Sequence, residues 1–131
     1  MSAAIYRHAV IWIDHHEARV FHFNANNAAE ALVRPSDPVR HIHHKANSIG
    51  SGHAEEDQKF LHSVAEAVAD AAEVLITGPA NEKDELAKHL KRHDPALAKA
   101  IVGTEKVDHP TDPQLVALAR RYFKAADRMR P

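Results

Sequence analysis

Five consecutive apolar residues, Ala9, Val10, Ile11, Trp12 and Ile13, constrain the fold of this chain more than any other stretch. Alternate residues of a strand point to opposite faces, so a run with no polar member leaves no face for water and demands cover on both sides. The run therefore predicts a central strand of a sheet with helices or chain packed above and below it. It is far too short for a signal-peptide core or a membrane span, so no membrane partner is expected.

The residues that follow build outward from that strand. Asp14, His15, His16 and Glu17 interrupt it. From Ala18 to Phe23, Arg19, Phe21 and Phe23 then alternate with Ala18, Val20 and His22, which reads as the second arm of a hairpin. Asn24, Asn26 and Asn27 mark another turn, and Ala29 to Val33 is a weaker third strand whose closing prolines, Pro35 and Pro38, place it at an edge. Phe60, Leu61, Val64, Ala65, Val68, Ala71 and Ala72 recur at helical spacing, with Glu55, Glu56 and Asp57 expected in the first turn, where the helix dipole favours negative charge. Val74, Leu75 and Ile76 form a short buried strand expected to end at Thr77, Gly78 and Pro79. Asn81 is expected to cap a second helix that carries Leu86 and Leu90 inward and stops at Asp94 before Pro95. Ile101 opens a fifth strand reaching Val107, Asp108 to Asp112 is a turn, and Pro113 starts a last helix with Leu115, Leu118, Ala119, Tyr122 and Phe123 on its apolar stripe.

Three meandering strands followed by helix, strand, helix, strand, helix predict an α/β fold, a mixed five-stranded sheet of order 3-2-1-4-5 with three helices packed on its faces. Right-handed crossovers put the first two helices on one face and the last on the other. The turn at Asp14, the loop before the first helix, Thr77 to Asn81, and Asp108 to Asp112 then emerge at one edge of the sheet. Helix amino termini and exposed backbone N–H groups make such an edge attractive to phosphate or carboxylate, with Gly78 and Asn81 as the anion-binding candidates.

The loop before the first helix carries most of the unusual chemistry. Within 35–54, a segment expected to be mobile, stand His41, His43, His44 and Lys45, then Gly50, Ser51, Gly52 and His53. Glycines two apart let a backbone approach a partner closely, and imidazole with lysine supplies donors to an anion, so the candidate RNA-binding residues are His43, His44, Lys45, Gly50, Ser51, Gly52 and His53. The formal net charge is only -1, so no global field draws the protein onto nucleic acid and any RNA contact is local. The 12 histidines would add positive charge as pH falls below about 6.5. With 131 residues the chain fits one domain able to bury a core of its own, and the absence of cysteine excludes disulfides and thiolate metal sites and suits a reducing cytoplasm.

The order of elements resembles a known domain. A strand hairpin, a Gly-containing loop with basic residues, the helix holding Val64, Ala65, Glu66, Ala67 and Val68, then Val74 to Gly78 and a helix with Glu85 and Leu86 are similar to the middle domain of archaeal and eukaryotic peptide release factors and of Pelota, over about Ala9 to Arg128. The segments Trp12, Ile13, Asp14, His15 and Glu17 to Phe21, with Gly78, Pro79 and Val107, Asp108, His109, Pro110, resemble a bacterial family called translational machinery protein. The resemblance implies an RNase H-like fold in a single domain, 1–131, and a ribosome or tRNA as partner. Release factors of that kind carry Gly-Gly-Gln in the loop; here the counterpart is Gly50, Ser51, Gly52, His53, and Gln58 falls on the expected helix. Without the glutamine, peptide release is not implied, and the expectation is a noncatalytic translation-related factor presenting its loop to RNA. A small-ligand or metal-binding domain using the histidine-rich sheet edge is the alternative.

Other constellations have plainer explanations. His89 and His93 stand four apart, the spacing of a two-histidine metal pair, but no HExxH glutamate accompanies them and they read as surface helix residues. Asp14 lies near where RNase H-like nucleases hold a carboxylate, yet a hairpin-turn aspartate accounts for it. Arg120, Lys124 and Arg128, with Arg121 and Arg130 nearby, form a basic stripe that complements the helix dipole. No catalytic residue, metal or cofactor is assigned, and the oligomeric state is left open.

Overall fold

The structure, a computed structural model, describes residues 7–35 and 51–129, with side chains described over 7–35 and 57–126. Five strands, β1 (His8–Ile13), β2 (Ala18–Phe23), β3 (Ala28–Val33), β4 (Glu73–Gly78) and β5 (Ile101–Lys106), form one sheet of order β3-β2-β1-β4-β5. β1 pairs antiparallel with β2, Ile11 opposite Val20, and parallel with β4, Ile11 opposite Ile76. The expected sheet order is therefore the observed one. β1 is central because Ala9 to Ile13 are each at most 1% exposed, while β3 at the edge is mostly exposed.

Four helices are described: α1 (Ser51–Ala67), α2 (Glu82–His93), the short α3 (Pro95–Ala98) and α4 (Asp112–Met129). The alternation of β1 sorts the core into two clusters. Ala9, Ile11 and Ile13 meet Leu61 and Val64 of α1, Val68 in the turn after it, and Leu86 and Leu90 of α2, whereas Val10 and Trp12 join Phe21, Phe23 and Leu75 against Leu115, Ala119 and Phe123 of α4. Each fully buried side chain of this size contributes about 1.5–3 kcal/mol relative to exposure, so both layers are needed to make β1 a stable central strand.

Several element ends differ from expectation. α1 begins at Ser51, so Ser51, Gly52 and His53 belong to its first turn rather than to the preceding loop, and Glu55, Glu56 and Asp57 lie further into the helix. β4 does not stop at Thr77: that residue is buried, its hydroxyl donates to the Ile11 carbonyl at 2.8 Å, and pairing with β5 continues to Gly78 opposite Lys106. Gly78 is required by closeness, since a Cβ there would collide with the backbone oxygen of Ile13. Asn81 precedes α2 but makes no side-chain capping bond; its carbonyl instead accepts from the Asp84 and Glu85 amides. Asp94 ends α2 as expected and also starts the unexpected α3, accepting the Leu97 amide at 3.2 Å. Among the described residues no helix is long and apolar enough to cross a membrane.

Candidate functional site

Parallel pairing of β1 with β4 and of β4 with β5 carries three chain reversals to the same edge of the sheet, and side chains lock them together there. Trp12, 1% exposed, donates its indole N–H to the carbonyls of Val107 at 3.2 Å and Asp108 at 2.7 Å, and the Val107 amide donates to Gly78 O at 3.0 Å. Arg19 lies over the Trp12 ring at 4.6 Å and donates to Asp112 Oδ1 at 2.7 Å, while the His109 ring tilts against the same indole at 5.0 Å. Asp14 accepts the His16 and Glu17 amides at 2.8 and 2.9 Å, the bonds of a tight Asx turn, which bears out its reading as a hairpin aspartate. Trp12, Arg19, Gly78, Val107 and Asp108 are thus joined in space although up to 96 residues separate them in sequence.

On the other face of that edge sits Glu82, the first residue of α2 and only 1% exposed. His15 Nδ1 lies 3.0 Å from its Oε1, but neither carboxylate oxygen receives a hydrogen bond of good geometry. Burial, then the neighbouring Asp57 carboxyl, then Glu85 and Asp14, push Glu82 from 4.5 up to about 8. Protonated Glu82 satisfies the arrangement, because it can donate to Asp57 and removes the repulsion between the two groups. Burial and its acidic neighbours thus favour the protonated form of Glu82, beside a His15 side chain that is 63% exposed. No activated nucleophile accompanies it among the contacts described.

The loop candidates His43, His44, Lys45 and Gly50, with His41, lie outside the described residues. Ser51, Gly52 and His53 are placed at the amino-terminal turn of α1, the helix whose Asp57 reaches Glu82. Gly78 serves the β1–β4 approach. Beside exposed Asn81, the first turn of α2 carries Glu82, Asp84 and Glu85, so an anion approaching Gly78 and Asn81 meets carboxyl groups. Of the sheet-edge histidines, His15 faces Glu82 and His109 faces Trp12.

Two expectations away from the edge are corrected. His89 is not a surface residue: it is 7% exposed, its Nδ1 lies 2.7 Å from Gln58 Oε1, and its Nε2 is buried without a partner. Burial and the neighbouring His93 and His62 lower its pKa below 6.5, so the ring is held neutral. Arg120 is likewise more than a dipole complement, since it donates to the carbonyls of Asn24 at 3.1 Å and Asn27 at 3.2 Å and lies over Phe23. Nothing in the sequence marks Glu82, because an acid at the start of a helix is ordinary; only its burial beside Asp57 and His15 distinguishes it. Among the described residues no three His, Cys, Asp or Glu side chains stand arranged to hold a metal ion.

Neither a family model nor a curated protein matches the chain. Solved structures do. Pelota of Archaeoglobus fulgidus is similar over 87% of this chain with a TM-score of 0.61 and 16% identity, and the archaeal translation termination factor aRF1 over 93% with a TM-score of 0.58 and 16% identity. S. cerevisiae Dom34, a translation termination-like factor involved in RNA quality control pathways and interacting with Hbs1, is similar over 76% with a TM-score of 0.52 and 8% identity. The chain spans 30%, 38% and 29% of those three proteins, respectively. The likeness establishes that the fold is shared with part of each.

Proposed function

We propose that this chain is a noncatalytic translation-related factor that associates with the ribosome or tRNA and presents His43, His44, Lys45, Gly50, Ser51, Gly52 and His53 to RNA. The observation that carries the reading is the shared arrangement of sheet and helices with proteins of translation termination, extending over most of this chain. Two further points support it. The candidate loop precedes in sequence α1, whose Asp57 reaches Glu82 at the sheet edge. Glu82, Asp84 and Glu85 in the first turn of α2 stand beside Gly78 and Asn81, which favours the basic loop over those two residues as the surface offered to phosphate. The noncatalytic part rests on the loop sequence, which has no glutamine beside its glycines, and on Gln58, which is engaged with His89.

Co-sedimentation with ribosomes across a salt series, at pH 6 and pH 8, tests the proposal. Binding should weaken steeply with salt and strengthen at pH 6, as the loop histidines gain charge. Replacing His43, His44 and His53 by glutamine should remove the gain at pH 6 and lower the salt slope by roughly 0.7–0.9 per lost phosphate contact. No sedimentation at low salt would overturn the ribosome reading, and identical curves for the two proteins would remove the loop from it. The protein should release no peptide from peptidyl-tRNA; release abolished by His53→Ala would overturn the noncatalytic assignment.

A further inference from the structure

On the outer side of α1 and α2, away from the sheet edge, an open groove of about 670 Å³ is lined by Gln58, Lys59, His62, Glu66, His89 and His93 among others. Its three imidazoles come from two helices. His89 and His93 are one turn apart on α2 with ring centroids 4.6 Å apart, and His62 of α1 stands edge-on to His89 at 6.4 Å. The wall is built around His89. The amide oxygen of Gln58 can only accept, so the 2.7 Å contact assigns the ring proton to Nδ1 and leaves Nε2 as a bare lone pair. That nitrogen is buried and no protein group donates to it. A buried acceptor without a donor costs about 1–3 kcal/mol, which a bound ligand would recover.

We propose that His89 and His93 form a two-nitrogen chelate for a first-row divalent transition-metal cation, with His62 turning in as a third ligand. The class of ion follows from the donors: neutral imidazole suits zinc, nickel and copper, whereas magnesium and calcium prefer oxygen. Helical i,i+4 spacing puts the two side chains on one face, where their ring centroids stand 4.6 Å apart, a spacing that rotation of the exposed His93 side chain can turn into a shared ligand position. Gln58 plays the outer part, fixing the His89 tautomer and ring plane through the nitrogen that does not bind metal. Three ligands are not converged as the side chains stand, because His62 Nε2 lies 3.4 Å from Glu66 Oε2. With 64% of its side chain exposed, His62 is free to rotate toward α2. Glu66 and Asp94 on the groove wall supply negative charge near the cation, offsetting Lys59.

The test is a titration with Zn²⁺ alone, followed through the imidazole signals in nitrogen-correlated NMR spectra. The full chain is used with His41, His43, His44 and His53 replaced by glutamine, so that the loop does not compete. Before metal is added, His89 should carry its proton on Nδ1; the opposite tautomer would overturn the proposal. On titration the signals of His89, His93 and His62 should move together and saturate at one Zn²⁺ per chain. Exposed His93→Gln, which leaves the core intact, should weaken binding at least tenfold, and His89→Gln should do so at least as strongly. Gln58→Leu should weaken it by roughly 10–100-fold while leaving both ligands in place. Affinity unchanged by His93→Gln, or saturation at other histidines with these three signals unmoved, would overturn it.

Discussion

The two faces of the sheet are built from opposite materials. Against α4, Trp12, Phe21, Phe23 and Phe123 close an aromatic layer whose two arginines are held locally: Arg19 is paired with Asp112, leaving only its Nε buried without a partner, and Arg120 is tied to the β2–β3 turn. Against α1 and α2, an aliphatic layer of Ile11, Val64 and Leu86 coexists with buried Glu82 and His89, each with at least one side-chain polar atom lacking a partner. Burying a polar atom unsatisfied is costly, and a chain optimised for stability alone would replace both residues with apolar ones. The aromatic face therefore reads as the clamp that fixes the sheet edge, and the α1/α2 face as the place where stability is given up for chemistry.

The sharpest way to break this comparison is Trp12→Ala. It removes a fully buried indole and its two hydrogen bonds and should cost about 3–5 kcal/mol in denaturant unfolding. A loss below about 1 kcal/mol would show that the α4 face is not the clamp.

Glu82→Gln should act in the opposite direction. Raised from 4.5 to about 8 in the folded state, Glu82 lets the folded protein hold a proton that the unfolded chain releases. Its environment therefore costs nothing below about pH 4.5, and stability is lost progressively as pH rises from there to about 8. Burial sets that range first, then the facing carboxyl groups of Asp57, Glu85 and Asp14, with His15 also in contact. A glutamine donates to Asp57 without ionising, so the variant should be more stable than wild type by a few kcal/mol at pH 9, with the gain vanishing at pH 4. Unfolding curves at three pH values check this; a variant less stable than wild type at pH 9 would contradict the neutral-acid reading.

Two smaller effects sharpen the account of the aromatic face. A Cβ on Gly103 would collide with the Tyr122 hydroxyl, which donates to Val102 O at 3.2 Å, so Gly103→Ala should displace that ring and cost roughly 1–2 kcal/mol. Adding Tyr122→Phe should restore part of the loss, and thermal unfolding of the single and double variants reads the difference. Arg120→Ala should cost about 1 kcal/mol, since the Asn24 and Asn27 carbonyls lie at the surface and water can replace the guanidinium.

Much of the architecture was legible because it rests on local pattern. The unbroken apolar run at Ala9 to Ile13 can satisfy itself only at the centre of a sheet, the stripe from Phe60 to Ala65 only on a helix, and the prolines after Val33 only at an edge. Element ends were less legible where tertiary partners decide them. Thr77 continues β4 because the Ile11 carbonyl and β5 are there to bond it, and nothing in the residues around Ser51 signals that α1 starts before the acidic cluster.

The candidate sites divide along the same line. Periodicity along one chain places His89 and His93 on the same side of a helix, and it places an acid at position 82, but it carries no information about what packs against them. Glu82 becomes a neutral acid only because Asp57 of another helix and the turn of Asp14 and His15 close over it, and His89 acquires a bare, buried nitrogen only because Gln58 of α1 takes its other one. The residues alone determined which apolar side chains face inward, since that depends on the backbone repeat of a single element. The tertiary structure alone decided which polar groups were left without water or partner, because desolvation is a property of everything that surrounds an atom.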